Sequence, residues 1–487
     1  MRGGRGGGRS RGRRALSALL VLAAVSAMTV SGPWLAQSRP LPTAPDIVVF
    51  LTDDQRWDSL DGMPALQEEL VDRGRLYEQA MVPTSLCCPS RATILSGRYA
   101  HSTGVWGNHY PQGGWRRVRE QGIEDVNIAT LLDARGYETA LIGKYFNGYS
   151  AGTRPDYVPP GWDHFWAFRV PGRSGAYYDF RLSGSPRFYG DRAYSTDVLA
   201  RRADRLIRST ARDTPLFVYL ATWAPHGHFI PPRRYAARPG TQPVARGRVE
   251  VADRKALQPA WLRAQRPVSA AAMEAVRDGQ DRSLLAVDDA VDRVVRALRE
   301  SGRLHNTLFL FMSDNGLLRG EHGLTGKHVP YDAATRVPMV LRWDARVPRG
   351  TVDRRLALNV DVAATLSAAT GVPMATEGLD LLGPQTRAGF PVEAIGKRNL
   401  GRPAYCGWRT ARYLYVRYAD REEELYDYAV DPLEEVNRAG DPTYARTLRA
   451  LRRHAREDCS PTPPGFSWTG ARTVTGPVTG PAVGPPG

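Results

Sequence analysis

Cysteine is scarce in this chain, with 4 residues among 487. So low a count excludes a small domain held together by many disulfides, which is the usual form of cysteine-rich secreted modules. Cys406 and Cys459 both lie in the C-terminal part of the chain and could pair. Cys88 is expected to be a free, buried thiol, because unpaired cysteine behaves as a small apolar side chain.

Long apolar runs are also few, and the run near the N-terminus is short for a membrane span. It covers Ala15–Val30, follows six arginines and is broken by Ser31-Gly32-Pro33. A basic stretch followed by a short apolar run is typical of an export signal. We therefore predict a signal peptide over residues 1–36, a linker over 37–45, and a protein that is secreted or held in the cell envelope. The alternative is an uncleaved N-terminal anchor, which would be the protein's one contact with a membrane.

The sequence has no internal repeats, and it lacks any motif or clustered basic stripe typical of nucleic-acid binding. We therefore expect no nucleic-acid partner. The formal net charge is nevertheless +16, mostly from scattered arginine. Such a surface is either simply solvated or attracts polyanions, including a sulfated glycan. Hydrophobic residues make up 42% of the chain, enough to bury a large core.

Short apolar runs alternate with helical patterns up to about residue 375. The predicted strands are Asp46–Thr52, Thr139–Ile142, Leu216–Ala221, Thr307–Met312 and Val337–Leu341. The predicted helices are Leu66–Arg73, Ile128–Ala134, Ala271–Ser301 and Val360–Thr370. Strands that alternate with helices are typical of an α/β fold, with a mostly parallel sheet between two layers of helices. We therefore predict one large α/β domain over residues 46–375.

The pattern changes in the C-terminal part of the chain. Tyr405–Tyr418 alternates like one antiparallel strand, Leu425–Asp427 reads as a second strand, and Tyr444–Arg456 reads as a helix. These elements predict a small α+β subdomain over residues 376–459. Residues 460–487 are rich in proline, glycine and threonine, so we expect a disordered tail there.

Two polar pairs, Asp53-Asp54 and Asp314-Asn315, directly follow predicted strands. The carboxyl ends of parallel strands meet at one edge of a sheet, so the two pairs can converge. Three carboxylates and an amide oxygen form an all-oxygen set that suits calcium or magnesium. Each pair taken alone is more often a turn or a helix cap, so both readings stay open.

A second motif is the run Cys87-Cys88-Pro89-Ser90-Arg91, where a helix is predicted over Pro89–Gly97. The two cysteines could simply be small buried residues at a helix start. A helix N-terminus, however, attracts anions through its free N–H groups and its dipole. Arg91 follows Cys87 by about one helical turn, so its side chain is expected to reach back toward that cysteine.

This run resembles the signature of the type I sulfatases, within the alkaline phosphatase-like superfamily, and the resemblance covers residues 45 to about 440. In that family a dedicated enzyme oxidises the first cysteine to formylglycine, and the hydrated aldehyde is the nucleophile. The resemblance implies that a formylglycine-generating enzyme converts Cys87. It also implies one divalent cation, calcium in preference to magnesium. Its implied ligands are Asp53, Asp54, Asp314, Asn315 and the modified Cys87.

Four cationic or imidazole side chains occupy further positions of the family pattern. By resemblance, Arg91 holds the diol, while Lys144, His226 and Lys327 bind sulfate. The family often assigns protonation of the leaving alcohol to the position of His226 or Lys327. Each of these side chains taken alone could equally be a solvated charge or a hydrogen-bonded histidine.

The segment Gly143-Lys144-Tyr145-Phe146-Asn147 departs from the commonest family pattern, since Phe146 stands where many members have a histidine. This form resembles the branch of N-acetylglucosamine-6-sulfatases and heparan endosulfatases. Asn147 is either a loop residue or a polar group that binds substrate. The base that assists sulfate release is left open among His226, His228, His322 and His101.

The resemblance implies a sulfuric ester hydrolase that acts on a sulfated sugar or a related sulfate monoester. One alternative is a phosphonate or phosphate monoesterase on the same fold. Another is a protein that binds sulfated glycans without turning them over, in which Cys87 would stay unmodified.

Overall fold

The computed structural model describes residues 44–154, 156–169, 175–238, 256–266 and 268–469. The predicted signal peptide and all but the last two residues of the predicted linker lie outside the described residues, as do residues 470–487 of the predicted tail. From Ala44 onward the chain forms one compact unit.

Strands build one large sheet and several smaller ones. They are β1 (Asp46–Thr52), β2 (Arg75–Met81), β3 (Glu138–Gly143), β4 (His164–Ala167), β5 (Phe180–Arg181), β6 (Phe188–Tyr189), β7 (Leu216–Ala221), β8 (Thr307–Ser313), β9 (Leu318–Arg319), β10 (Thr325–Gly326), β11 (Met339–Arg342), β12 (Thr351–Leu358), β13 (Phe390–Ala394), β14 (Tyr405–Arg409), β15 (Tyr413–Tyr418) and β16 (Glu423–Asp427). The large sheet has eight strands in the order β12-β2-β11-β8-β1-β7-β3-β4. Only β11 runs against the other strands of this sheet, so the predicted mostly parallel sheet is confirmed.

Helices connect these strands. The α-helices are α1 (Pro64–Leu66), α2 (Cys87–Ser96), α3 (Ala100–Thr103), α4 (Gly114–Glu120), α5 (Ile128–Asp133), α6 (Tyr149–Gly152), α7 (Ser195–Ser209), α8 (Ala260–Arg263), α9 (Ala270–Glu300), α10 (Asp332–Thr335), α11 (Asp361–Thr370) and α12 (Ala445–Asp458). Short 3₁₀ turns lie at Trp57–Gly62, Arg233–Tyr235, Leu304–Asn306, Glu321–Gly323, Arg398–Leu400 and Pro442–Tyr444, and a π turn at Gln67–Val71. None of the described helices is long and apolar enough to cross a membrane.

Alternate residues of the sheet feed two separate cores. In β1, Ile47, Val49 and Leu51 pack on the side that carries α2, α5 and α11. Val48 and Phe50 face the other side, which α7 and α9 cover. Because both faces are buried, β1 is apolar along its whole length, as is usual for a central parallel strand. The polar residues that follow it are therefore held at the edge of a rigid element.

The C-terminal part forms a four-stranded antiparallel sheet in the order β13-β14-β15-β16. One face packs against α12, and the other face joins a core that also contains residues of the main body such as Leu318 and Tyr331. The predicted antiparallel C-terminal region is confirmed. The domain boundary at 375 falls in the irregular segment between α11 and β13 and stays a prediction. Cys406 and Cys459 form a disulfide, and Cys87 and Cys88 are free and buried.

Several predicted elements need correction. Tyr405–Tyr418 is not one strand but the hairpin β14–β15, because the Thr410 hydroxyl accepts the N–H groups of Arg412 (3.2 Å) and Tyr413 (2.8 Å) and so closes a turn. Leu66–Arg73 is not a regular α-helix but α1 followed by the π turn, with the Asp72 N–H bonded to the Gln67 carbonyl. Residues 460–469 of the predicted tail are described and are not disordered, since Phe466 is buried beside the disulfide; the disorder predicted for residues 470–487 stays a prediction.

Candidate active site

The two acidic pairs meet at the carboxyl edge of the main sheet. Thr52 of β1 pairs with Ser313 of β8, so the residues that follow these two strands emerge side by side. The Asp54 N–H donates to Asp314 Oδ1 (3.3 Å), and Asn315 Nδ2 donates to Asp54 Oδ1 (2.6 Å). Asp54 adopts the left-handed region, with φ of 66°. The predicted convergence of the two pairs is therefore present.

Cys87 is the first residue of α2, so its side chain sits at the positive end of a helix dipole. It is fully buried, with Sγ 3.5 Å from Asp53 Oδ1. The N–H of Cys88, which has no partner inside the helix at this position, donates to Asn108 Oδ1 (2.9 Å). The helix ends at Gly97, whose φ of 65° suits a left-handed cap.

Arg91 lies one turn further along the same helix and reaches back into the site, as its spacing predicts. Its Nε donates to Asp314 Oδ2 (2.9 Å), its Nη2 lies 3.5 Å from Asp53 Oδ2, and its Nη1 donates to the Lys144 carbonyl (2.9 Å). The guanidinium thus joins both acidic pairs to the loop that follows β3.

Two buried lysines complete the positive charge around Cys87. The Lys144 ammonium donates to Asp53, and the Lys327 ammonium donates to Asp54. Lys327 Nζ also lies 2.7 Å from Cys87 Sγ. Burial opposes the charged form of each lysine, but the carboxylates outweigh it and raise the pKa of both ammonium groups. Both lysines therefore carry a positive charge in the site.

His226 comes from the loop after β7, with Nε2 3.7 Å from Asp54 Oδ2. The Tyr177 hydroxyl donates to the His226 carbonyl (2.7 Å) and fixes this loop. The Nδ1 atom of His226 is buried and has no hydrogen-bond partner among the described residues. Burial lowers the pKa of His226 to about 4, so the ring is neutral at physiological pH. Asp53, Asp54, Cys87 and His226 each offer one donor atom, and these atoms all lie within 4.8 Å of one another.

The other histidines considered from the sequence have different partners. His101 Nδ1 lies 3.0 Å from both Glu393 carboxylate oxygens. His322 stacks on Tyr331 with ring centroids 3.8 Å apart, and its Nε2 faces Glu434 at 3.6 Å. Neither is joined to Cys87 by a described contact.

The remaining two predicted positions are less well connected to the cluster. His228 adopts φ of 76°, and no described contact joins it to the carboxylates. Asn147 accepts the Trp115 N–H at its carbonyl (2.7 Å), and its Oδ1 is buried without a described partner. The role of Asn147 as a substrate-binding residue stays a prediction.

The donor set fits a hard cation. Asn315 Oδ1 is buried and has no hydrogen-bond partner among the described residues, as expected of an oxygen reserved for a metal ion. Burial opposes ionisation of Asp53, but Lys144, His226, Lys327 and Arg91 outweigh it and hold the pKa of its carboxyl well below the usual value. Burial and the neighbouring Asp53 raise the pKa of Asp314 to about 6. The side-chain oxygens of Asp53, Asp54, Asp314 and Asn315 are donors of the type that calcium and magnesium prefer.

Sequence reasoning missed three residues that support the site. Asn108 accepts a hydrogen bond at the start of α2, Tyr177 binds the His226 loop, and the Trp223 ring centroid lies 5.0 Å from the Lys144 ammonium. The Trp223 ring also contacts the His226 ring at 4.9 Å. Trp223 could have been suspected, since it lies three residues before His226. Asn108 and Tyr177 stand in segments with no motif.

This constellation can be compared with known proteins. The family model described as Sulfatase matches residues 45–372. The chain belongs to the sulfatase family. Human N-acetylglucosamine-6-sulfatase is 31% identical over 370 residues, covering 72% of this chain and 64% of that protein. A putative extracellular sulfatase Sulf-1 homolog of Caenorhabditis elegans is 31% identical over 345 residues, covering 67% of this chain and 47% of that protein.

The matched region is thus between about half and two thirds of the length of these two sulfatases. An N-acetylglucosamine-6-O-sulfatase of Bacteroides thetaiotaomicron is 24% identical over 89% of this chain and 88% of its own length. A solved structure of another protein, in complex with that protein's substrate D-glucosamine-2-N,6-O-disulfate, gives a TM-score of 0.69 at 20% identity over 85% of this chain and 97% of that chain. The phosphonate monoester hydrolase of Agrobacterium radiobacter gives 0.67 at 20% identity over 85% and 95%. At 20% identity, the similarity to these two solved structures shows that this sulfatase has the same fold as they do.

Proposed function

We propose that this chain hydrolyses a sulfate monoester on a sulfated sugar. The observation that carries the proposal is the environment of Cys87. A buried side chain at a helix N-terminus faces Lys327 at 2.7 Å and lies beside the carboxylates of Asp53 and Asp54. Arg91 and Lys144 add further positive charge. A sulfate ester spreads one negative charge over three oxygens, so fixed cations and donors are what its transition state requires.

Asp53, Asp54, Asp314 and Asn315 would hold one divalent cation, calcium in preference to magnesium, together with the modified Cys87. Their donor atoms are oxygens, and the free Asn315 Oδ1 supports this assignment. When bound, such an ion polarises a sulfate oxygen and favours the deprotonated form of the nucleophile. Lys144 and Lys327 then have less carboxylate charge to neutralise, which leaves their ammonium groups available to the substrate.

The state of Cys87 bears directly on its role. Burial and the neighbouring Asp53 raise the pKa of the unmodified thiol to about 12, despite Lys144 and Lys327. A thiol with so high a pKa provides almost no thiolate at neutral pH and is a poor nucleophile. This supports conversion of Cys87 to formylglycine by a formylglycine-generating enzyme. The hydrated aldehyde supplies a nucleophilic oxygen and a second hydroxyl whose deprotonation expels sulfate.

The chain's own side chains divide the remaining work. Arg91 orients the group at position 87, while Lys144, Lys327 and His226 bind the sulfate oxygens. Lys327 carries a proton and lies beside the group at position 87, so we assign to it the donation of a proton to the departing alcohol. His226 has a free ring nitrogen in the cluster, so we assign to it the acceptance of a proton when sulfate is released. Of the four histidines considered for that step, it is the one in the described cluster.

The substrate class and the location rest on different observations. Relatives named N-acetylglucosamine-6-sulfatase and a structural neighbour that binds a disulfated glucosamine favour a sulfated amino sugar. The Cys406–Cys459 disulfide favours an oxidising compartment, and relatives include extracellular sulfatases. Both observations support export to the cell envelope or beyond it.

Turnover of an aryl sulfate, an aryl phosphate and an aryl phosphonate tests the proposal, because phosphonate monoester hydrolases share the fold. We expect the protein from its native host to hydrolyse the sulfate fastest. Cys87→Ala should abolish turnover. The matched control Cys88→Ala removes the adjacent thiol, which lies in the hydrophobic core. This variant should retain turnover of the aryl sulfate. Faster phosphonate turnover, or an active Cys87→Ala variant, would contradict the proposal.

A further inference from the structure

One lysine of the C-terminal sheet region, Lys397, contacts a residue of the candidate active site. Lys397 lies on the loop between β13 and β14, beyond the region that the family model covers. Its Nζ donates to the carbonyl of Lys327 at 2.6 Å. Lys327 is the residue whose own ammonium contacts Cys87 and Asp54. Lys397 is therefore hydrogen-bonded to the backbone of a residue in the proposed sulfate site.

The loop that carries Lys397 is well fixed. Lys397 and Arg402 exchange two backbone hydrogen bonds, of 2.8 and 3.2 Å, across a short turn that contains Gly401 with φ of 59°. Gln265 Nε2 also donates to the Leu400 carbonyl at 2.8 Å and ties the turn to a second segment. These contacts fix the backbone at Lys397, and the hydrogen bond to the Lys327 carbonyl positions its ammonium.

The positive charges of Lys397 and Arg402 are not paired with a carboxylate in the described part of the chain. Among the described residues no carboxylate lies within 4.0 Å of the Lys397 ammonium or the Arg402 guanidinium, and Arg402 donates instead to the carbonyls of Pro403 and Ile395. Burial, together with Arg402 and Lys327, lowers the pKa of Lys397 to about 8, and Asp54 opposes this. His328 beside it is buried, and its Nε2 has no partner in the described part of the chain.

A partly buried cation without a counter-charge is costly, unless a ligand supplies the charge. Fixing the Lys327 carbonyl does not by itself explain a charged donor, because a neutral amide would serve. Lys144 and Lys327 already pair with Asp53 and Asp54, and the proposed function assigns both to the sulfate that is cleaved. Lys397, in contrast, has no carboxylate partner among the described residues. It also lies beyond residues 45–372, the region that the family model covers.

We propose that Lys397 binds a second anionic group of the substrate, a sulfate or a carboxylate, and so favours sugars that carry two anionic groups. This inference rests on the proposed sulfatase activity. A charge-assisted hydrogen bond from a partly desolvated lysine is stronger than a neutral one, so the second group should increase affinity. Lys397 would then be a specificity-determining residue that leaves the bond-breaking step to Lys327, His226 and the group at position 87.

The test compares N-acetylglucosamine 6-sulfate with glucosamine 2-N,6-O-disulfate. A second doubly charged probe, a glucosamine 6-sulfate whose amino group carries a carboxylate-bearing substituent in place of the N-sulfate, distinguishes the two anions. Three variants are measured. Lys397→Met removes charge and donor, Lys397→Gln keeps a neutral donor for the Lys327 carbonyl, and Lys397→Arg keeps the charge. Arg398→Ala, an exposed neighbour in the same turn, is the control.

We expect the ratio of kcat/KM for the doubly charged over the singly charged sugar to fall about tenfold in Lys397→Met and Lys397→Gln, mainly through KM. Lys397→Arg should retain most of the ratio, and Arg398→Ala all of it. An unchanged ratio, or an equal loss of kcat on both sugars, would overturn the inference and leave Lys397 as a support of Lys327.

Failure of the proposed function is recognised separately, as absence of sulfate hydrolysis by the parent protein on any of these sugars. Calorimetric binding to Cys87→Ala then still tests Lys397, since it requires no turnover. Tighter binding of the doubly charged sugar that Lys397→Gln abolishes supports the inference. Equal binding of both sugars contradicts it.

Discussion

Replacement of Arg91 by methionine tests how the site is held together. Arg91 is 1% exposed and donates to Asp314, lies 3.5 Å from Asp53 and donates to the Lys144 carbonyl. Methionine has a similar length and no charge, so it fills the space without replacing these contacts. Asp53 keeps Lys144 and Lys327 as cationic partners. Asp314, by contrast, has no second cation within 4.0 Å among the described residues.

Removal of one partner of a buried ion pair costs about 3–5 kcal/mol, because the other charge is left buried and uncompensated. We therefore expect Arg91→Met to lower the free energy of unfolding of the metal-free protein by about that amount at pH 7.5. Loss of Arg91 raises the pKa of Asp314 further above its parent value of about 6, so the deficit should shrink as the pH falls toward 6, where Asp314 of the variant is already protonated.

Urea unfolding followed by circular dichroism measures this difference. Arg116→Met is the matched control, because Arg116 is exposed on α4, where it pairs with Glu120 at 3.3 Å and lies over the Tyr110 ring at 4.0 Å. Such a surface pair contributes about 0–1 kcal/mol. A loss below about 1 kcal/mol for Arg91→Met would refute the reasoning that Arg91 neutralises a buried carboxylate.

Two further predictions concern the metal and the C-terminal sheet. Asp314→Ala should weaken divalent-metal retention at least tenfold by elemental analysis, whereas Asp344→Ala, which loses an ion pair with Arg342 away from the site, should not; equal retention would contradict the ligand assignment. Burial raises the pKa of Glu424 to about 7 from 4.5, so the folded protein binds this proton more tightly than the unfolded chain and stability should fall as the pH rises from about 4.5 to 7. Glu424→Gln should flatten this fall in urea titrations across that range, and an unchanged slope would show that another group causes it.

Much of the architecture was readable from the sequence because β1 and β8 are buried on both faces. Continuous apolar runs as short as Ile47–Leu51, bounded by polar residues, are typical of strands that are buried on both faces. The parallel strands β2 and β12 were missed because Arg75, Glu78 and Asp353 interrupt their apolar pattern. The hairpin after Arg409 was missed because a threonine hydroxyl closes it where glycine or proline is usual.

The candidate site was readable to a different extent. Asp53 and Asp314 follow strands, and Cys87 and Arg91 share one helix, so topology and helical spacing bring them together. The histidine that serves the cluster could not be chosen from the sequence, since His101, His226 and His322 all follow plausible motifs. Tertiary packing determines that His101 pairs with Glu393 and that His322 stacks on Tyr331. Lys397 was invisible for the same reason, because its contact with Lys327 spans two distant segments.

The most direct test of the central claim is the mass of the tryptic peptide Leu76–Arg91, taken from protein made in its native host. Conversion of Cys87 to formylglycine replaces sulfur and two hydrogens by one oxygen. We predict that the peptide carries this mass loss once, at Cys87, with Cys88 still a thiol. A peptide with both cysteines intact would contradict a formylglycine-based hydrolase.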